Sequence, residues 1–432
     1  MNQTRRSFLA STGPAFAALL ASGCVARTVA GSVASGWPYG SLVSDPAGLL
    51  DLPPGFSYRV IAQLGDAMDD GLTVPDNADG MGCFDLGGGR IALVRNHELK
   101  ARQDAGGQPG VGFDRRSDGA ILPGGTTTQV LDARTLETVA QHRSLAGTIR
   151  NCAGGTTPWG SWLTCEEDVT RAGQGVGRDH GWVFEVPAKA PGLVDPVPLT
   201  AMGRFNHEAA AVDPVTGYVY MTEDRDNGLL YRFLPAKRGD LAKGGRLQAL
   251  AAKGLADSRN WDSARMSAGS AFTAQWIDLD NVESPEDDLR QRGAAKGATL
   301  FARAEGIHMG EGEFYFCCTS GGAAKLGQVF RLSRSASRLD LFFESTSPDQ
   351  FNFGDNLTVA PNGHLIVCED QYTDVVDNYL RGITPKGTAY PFARLRIQTE
   401  LAGACYSPDG RTLFVNAYSP ARTLAITGPW AA

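Results

Sequence analysis

The sequence predicts an all-β protein, a six-bladed β-propeller with loop insertions and a metal site at one end of its central channel. Three observations carry that reading. A turn followed by an apolar strand recurs six times along the 432 residues. Several of these strands end in carboxylates. Long amphipathic helical patterns are scarce, while 53 glycines punctuate the chain.

The turns, in order, are Asp85–Gly89, Thr157–Gly160, Asp213–Gly217, Met309–Gly312, Ala360–Gly363 and Ser407–Gly410. Gly, Asn-Gly and Asp-Gly accept the positive φ of tight hairpins. The strands that follow are Ile91–Val94, Ser161–Thr164, Tyr218–Met221, Glu313–Cys317, His364–Val367 and Thr412–Val415. They are rich in Val, Ile, Tyr, Phe and Trp, which suit a pleated and half-buried surface. A short strand precedes each turn, beginning near Asp79, Asn151, His207, Glu305, Asp355 and Gly403. Units of this kind, spaced with insertions, match one propeller blade each. The segments Lys237–Arg265 and Val282–Lys296 read as an inter-blade insertion and a solvated charged loop. Asp66 to Asp79 holds five Asp residues without the spacing of an EF-hand, so it reads as an exposed loop rather than a calcium site.

In a hairpin the second strand returns to the face where the first began. Glu208, Glu305 and Asp355 therefore start at the rim where Glu98, Glu166, Glu223 and Glu369 arrive. Carboxylates gathered around one axis repel unless cations sit among them. Cys165, directly before Glu166 and Glu167, adds a thiol, and Cys368 shares that setting beside Glu369. Hard oxygens suit calcium, and a thiolate among carboxylates suits a transition metal such as iron. The other cysteines of the mature chain, Cys83, Cys152, Cys317, Cys318 and Cys405, read as small buried hydrophobes in strand patterns. His97 and His207 read as packing residues.

The N-terminus reads as a targeting segment. Arg5-Arg6 before Ser7-Phe8-Leu9 is a twin-arginine pattern, and residues 1–30 are set apart from a single propeller domain over 31–432. Ala21-Ser-Gly-Cys24 resembles a lipoprotein box, so a lipid anchor at Cys24 competes with simple cleavage after Ala30. The expected location is the periplasm or the exterior. No later run is long and apolar enough to span a membrane as a helix. A net charge of −7 argues against a nucleic-acid surface. There is no Gly-x-Ser-x-Gly elbow and no nucleotide-binding Gly-x-x-x-x-Gly-Lys-Ser/Thr loop.

The block Asn151–Glu167 (Asn-Cys-Ala-Gly-Gly-Thr-Thr-Pro-Trp-Gly-Ser-Trp-Leu-Thr-Cys-Glu-Glu) resembles the PhoX family of alkaline phosphatases. Asn96-His-Glu98, His207-Glu-Ala209, Arg303-Ala-Glu-Gly-Ile307, Asp355-Asn356, Val367-Cys-Glu-Asp370, Ala404–Gly410 and Leu424–Trp430 extend the resemblance from about Leu52 to Trp430. The resemblance implies a six-bladed propeller that hydrolyses small phosphomonoesters with iron and calcium. It implies that Cys165 is the thiolate iron ligand and that Glu208, Glu305 and Asp355 are carboxylate ligands. Glu98, Glu166, Glu369 and Asn356 complete the expected metal set. Arg303 is expected to contact the substrate phosphate, with Glu305 as its catalytic neighbour. Nearby cations would also generate a metal-bound oxygen nucleophile.

The expected partners are the phosphomonoester substrate and the twin-arginine export machinery, and the expected state is a monomer. Two other classes compete. One is a non-catalytic binding propeller that uses calcium only for structure. The other is a calcium-dependent lactonase or phosphotriesterase-type propeller hydrolase. Neither gains anything from a thiolate in the site.

Overall fold

The computed structural model describes residues 36–371 and 376–430. The twin-arginine motif, Cys24 and the Ala30 cleavage position lie outside the described residues. The protein is all-β with a propeller-like arrangement. Among the described residues the one α-helix is Leu289–Ala295, inside the segment expected to be a charged loop.

All six expected hairpins are present as antiparallel pairs. They are Ala78–Gly87 with Arg90–His97, Asn151–Thr156 with Ser161–Glu166, and His207–Val212 with Val219–Glu223. Then follow Ala304–Met309 with Glu313–Cys318, Gly354–Val359 with Leu365–Glu369, and Leu401–Tyr406 with Thr412–Ala417. The first strands of these pairs pack side by side in sequence order, and Leu401–Tyr406 returns to lie against Ala78–Gly87. This inner cycle is tight. A Cβ on Gly80 would stand 2.5 Å from the Ala153 Cα, and one on Gly306 would stand 2.6 Å from the Asp355 carbonyl oxygen. Only glycine lets neighbouring inner backbones approach so closely.

The outer strands join these hairpins into five hydrogen-bonded sheets. Ala271–Asp278 pairs with Gly245–Ala252 on one side and with Arg338–Glu344 on the other, which merges two units into a nine-stranded sheet. The segment expected to be an insertion thus contains the strand Gly245–Ala252. Its Leu247 and Leu250 are buried, and sheet packing overrides an Ala-rich composition. The early strand Ser57–Gln63 completes the last sheet by pairing with Arg422–Thr427, while the shorter Leu50–Asp51 before it pairs with Ala389–Leu395 of the preceding sheet. An early strand and the last strand therefore meet in one sheet. Around the cycle the core is aromatic and aliphatic, as where Phe316 and Phe330 stack at 5.3 Å.

The Asp-rich loop has a structural task. Asp69 accepts the Gln141 N–H at 2.8 Å and Asp70 accepts the Arg143 N–H at 2.6 Å. These carboxylates satisfy the outer strand Thr138–Thr148, whose free edge would otherwise invite pairing with another chain.

Candidate metal centre

One backbone corner is built six times. In every hairpin the N–H of the residue just after the second strand donates to the carbonyl of the residue just before the first. The pairs are Glu98 to Asn77 at 2.9 Å, Glu167 to Arg150 at 2.9 Å, and Asp224 to Asn206 at 3.3 Å. The others are Thr319 to Arg303 at 2.9 Å, Asp370 to Phe353 at 2.9 Å, and Tyr418 to Glu400 at 3.2 Å. Each hairpin also carries a register shift just inside this corner. A bulge bends the strand and re-aims a side chain. Four of the residues before the inner strands have left-handed φ: Asn77 at 53°, Arg150 at 46°, Arg303 at 51° and Phe353 at 53°.

The corners surround a pocket of about 400 Å³. From the inner strands it is lined by Asp79, Cys152, Glu208, Glu305 and Asp355, and from the residues just after the second strands by Glu98, Glu167, Asp224, Asp370 and Tyr418. Arg150, Arg303 and Glu400 come from the residues before the inner strands, and Lys100 stands at its edge. Nine carboxyl groups thus face three cations. Arg150 spans Glu98, at 2.7 Å, and Glu167. Arg303 spans Asp224, at 2.9 Å, and Glu305, at 2.6 Å. The Cys152 Sγ lies 3.2 Å from Glu208 Oε1 and 3.5 Å from Asp79 Oδ2.

Burial, followed by repulsion from neighbouring carboxylates, pushes Asp79, Glu167, Glu208, Glu305 and Asp355 well above the usual carboxylate range. Burial and the adjacent Asp79 and Glu208 likewise raise the Cys152 thiol. Among the described residues, one buried oxygen each of Asp79, Asp355 and Asp370 has no hydrogen-bond partner. Donor atoms of Asp79, Glu98 and Cys152, and of Cys152, Glu167 and Glu208, fall within 4.8 Å of one another. Negative groups that lack protein donors and converge on shared space are the donor set a cation completes. The residues present therefore fit a metal centre that includes one thiol.

Of the expected site residues, Glu98, Glu208, Glu305, Asp355 and Arg303 meet in this pocket. Cys165, Glu166, Glu369 and Asn356 do not. Cys165 is buried in an apolar cluster with Leu163, Val183 and Met221, where burial, and after it the charge of Glu208, pushes its thiol up. The thiol that faces the carboxylates is Cys152. Glu166 accepts hydrogen bonds from Ile149, His180, Gly181 and Trp182. Glu369 accepts from Asn352, Tyr379 and Arg381. Glu223, expected at the same rim, accepts from Leu229 and Tyr231 beside Arg290. Asn356 lies further along the axis, in a smaller cavity with Met81, Gly155 and Gly306, and its Oδ1 accepts the Gly403 N–H at 3.1 Å.

For the three glutamates the correction has one cause. Glu166, Glu223 and Glu369 are the last residues in register with Asn151, His207 and Gly354. Side chains alternate faces along a strand, so the residue one step later points the opposite way. Glu167, Asp224 and Asp370 take the places expected for Glu166, Glu223 and Glu369. The period-two rule, counted from the turn, could have separated them.

The sequence profile of alkaline phosphatase PhoX matches residues 37–143 and 125–421. No curated protein matches the sequence significantly. Among solved structures, Pseudomonas fluorescens PhoX in complex with vanadate, a transition-state analogue, superposes with a TM-score of 0.69 at 20% identity. That match covers 88% of this chain and 96% of the other. A gluconolactonase from Xanthomonas campestris gives a TM-score of 0.43 at 14% identity, over 91% of this chain and 99% of that one. The calcium-binding regucalcin of Agrobacterium tumefaciens gives 0.41 at 10%, over 85% and 95%. The PhoX profile spans nearly all the described residues, and the solved PhoX shares the fold; on that profile match the chain belongs to the PhoX alkaline phosphatase family and is an alkaline-phosphatase-type phosphoric monoester hydrolase.

Proposed function

We propose that this protein is an exported, metal-dependent phosphatase acting on small phosphomonoesters in the pocket at the six corners. The observation that carries the reading is the excess of buried, partly unpartnered carboxyl groups around the Cys152 thiol. Iron suits the side where Cys152 meets Asp79, Glu98, Glu167 and Glu208. Calcium suits the oxygen-only side formed by Asp224, Glu305, Asp355, Asp370 and Glu400. The chemistry such cations supply is polarisation of phosphate oxygens and a nucleophile competent near neutral pH.

The chain's own residues supply position and charge. Arg303 and Arg150 each sit between two carboxylates, which hold the guanidinium forks in place at the pocket wall. A planar fork matches phosphate oxygens, and a fork already fixed needs no reorganisation when charge develops on them. Lys100 adds a third positive charge at the mouth. The thiol favours this reading over a calcium-only binding or lactonase propeller.

The six equivalent corners support a six-bladed propeller in a single domain after residue 30. Arg5-Arg6 and Cys24 support twin-arginine export to the periplasm or exterior, with a lipid anchor as the alternative to cleavage. We take the working form to be a monomer with no role on nucleic acid.

The test pairs elemental analysis of the exported protein with hydrolysis of an aryl phosphate, with and without a chelator. Iron and calcium together with chelator-sensitive turnover are expected. Calcium alone without turnover, or turnover indifferent to chelation, would overturn the proposal.

A further inference from the structure

The position two residues before each corner is buried in all six hairpins. It holds Asn96, Cys165, Thr222, Cys317, Cys368 and Asn416, each 0% exposed. A thiol is a weak donor. The three strong donors act alike. Each reaches the inner strand of the next hairpin in the cycle and donates to the carbonyl of a residue that lines the metal pocket. Asn96 Nδ2 donates to the carbonyls of Cys152, at 3.0 Å, and of Ala153, at 2.7 Å. Thr222 Oγ1 donates to the Glu305 carbonyl at 2.5 Å. Asn416 Nδ2 donates to the Asp79 carbonyl at 2.6 Å.

The bulges explain why these carbonyls are free to accept. Asp79, Cys152, Glu208 and Glu305 each fall inside the register shift of their own hairpin, between Ala78 and Met81, Asn151 and Gly154, His207 and Ala210, and Ala304 and Ile307. A bulged residue is re-aimed and drops out of the ladder, so its backbone must find a partner elsewhere. Thr222 serves two bulges at once. Its oxygen accepts the Ala209 N–H, beside Glu208, at 3.0 Å. Its one proton goes to the Glu305 carbonyl, because the Ala209 carbonyl stands further off at 3.4 Å. The two amides are held in orientation from their other end. Trp162 Nε1 donates to Asn96 Oδ1 at 2.9 Å, and Thr423 Oγ1 donates to Asn416 Oδ1 at 2.7 Å. Each Nδ2 is thereby turned towards a carbonyl.

We propose that Asn96, Thr222 and Asn416 are positioning residues of the metal centre, which fix the backbone of Cys152, Glu208, Glu305 and Asp79 across the seams between hairpins. None of the three lines the pocket itself. Their roles rest on the proposed metal dependence of the site and extend it to residues outside the pocket. Carboxylates crowded together repel, and on a loose backbone they would move apart whenever no cation held them. A pinned backbone keeps the donors at their separations, so less order has to be gained when a cation binds. Removing a pin is therefore expected to lower metal affinity even though no donor atom is lost.

The test is the cobalt(II) affinity of the chelator-stripped full chain, read by competition with a chromophoric chelator, together with the thiolate-to-cobalt absorption that Cys152 gives. Thr222→Val keeps the side-chain shape and removes the hydroxyl, whereas Thr222→Ser keeps the hydroxyl. Thr222→Val is expected to bind cobalt(II) about 10- to 100-fold more weakly than the wild type, and Thr222→Ser to restore the wild-type affinity. Asn96→Leu is expected to weaken or abolish the thiolate absorption. Equal affinity in Thr222→Val and the wild type, or a Thr222→Ser as weak as Thr222→Val, would overturn the proposal, since the hydroxyl would then set nothing. Should Thr222→Val fail to fold, the absorption of Asn96→Leu decides: unchanged, it overturns the proposal, and weakened, it supports it. A wild type that takes up no cobalt(II) would instead overturn the metal centre, and the positioning roles with it.

Discussion

Glu166 and Glu167 are adjacent in sequence, both are buried, and they meet opposite fates. Glu166 is finished by the protein: four donors reach its two oxygens, at 3.0 Å from Ile149, 2.7 Å from His180, 3.0 Å from Gly181 and 3.2 Å from Trp182. Glu369 is finished in the same way, and its Asn352 bond, like the Ile149 bond of Glu166, holds the backbone just before a left-handed residue. Glu167, by contrast, shares Arg150 with Glu98 and faces Cys152 and Glu208. The first set buttresses the corners and the second lines the pocket. Burial alone does not mark a functional carboxylate; the marker is burial without enough protein donors.

The cysteines offer the sharpest way to break this comparison. Cys152 stands among the unfinished groups and Cys165 in an apolar cluster. Cys152→Ala is expected to remove the transition metal and lower aryl phosphate turnover by about 100-fold or more. Cys165→Ala is expected to keep metal and turnover while lowering stability by about 1–2 kcal/mol through the space it leaves. Metal content and turnover of the two variants, measured side by side, check both halves. The reverse pattern would return the thiolate role to Cys165.

Much of this was legible in the sequence, and the limit is physical. The turns Asp85–Gly89 through Ser407–Gly410 located all six hairpins, because positive-φ residues punctuate strands wherever they fall. Glu208, Glu305 and Asp355 were legible because they open inner strands at the rim. Glu166 was misplaced because a run of Cys, Glu and Glu at a strand end does not say which residue closes the ladder, and Cys165 because it lies inside the ladder opposite Val183, among apolar side chains, rather than past its end. One residue of register reverses every side chain, and a bulge resets the count without any composition signal. Cys152 sat unselected in the same block for that reason. The merging of two units through Ala271–Asp278 was also invisible, since an outer strand's second partner is a matter of where the sheets lie in space.

The two glutamates sharpen the comparison at a smaller scale. Glu166→Gln replaces an acceptor-only group that receives four donors, and breaking such a buried arrangement costs about 3–5 kcal/mol. Its denaturation midpoint is expected to fall even in chelated protein. Glu167→Gln removes one member of a repelling cluster and leaves Arg150 paired with Glu98. Bound metal is expected to fall while the midpoint of the chelated protein holds or rises. Parallel loss of stability in both variants would erase the distinction between buttress and pocket.

The smallest effect concerns the proton inside the buttress. His180 lies between Glu166, at 2.7 Å, and Asp114, at 3.2 Å. Burial by itself would lower this imidazole, but the two carboxylates outweigh it and raise it to about 9. An unfolded histidine titrates near ~6.5. The folded state therefore holds its proton more tightly, and the resulting stability is fully present below about pH 6.5 and is lost as pH rises through about 9. The loss is of order 2–3 kcal/mol. Denaturant midpoints from pH 6 to 9.5 are expected to fall for the wild type, and His180→Asn, starting lower, is expected to show a flatter profile over that window. If the two profiles run parallel, the imidazole is neutral in the fold, and Glu166 is completed by backbone donors and a neutral ring rather than by a cation.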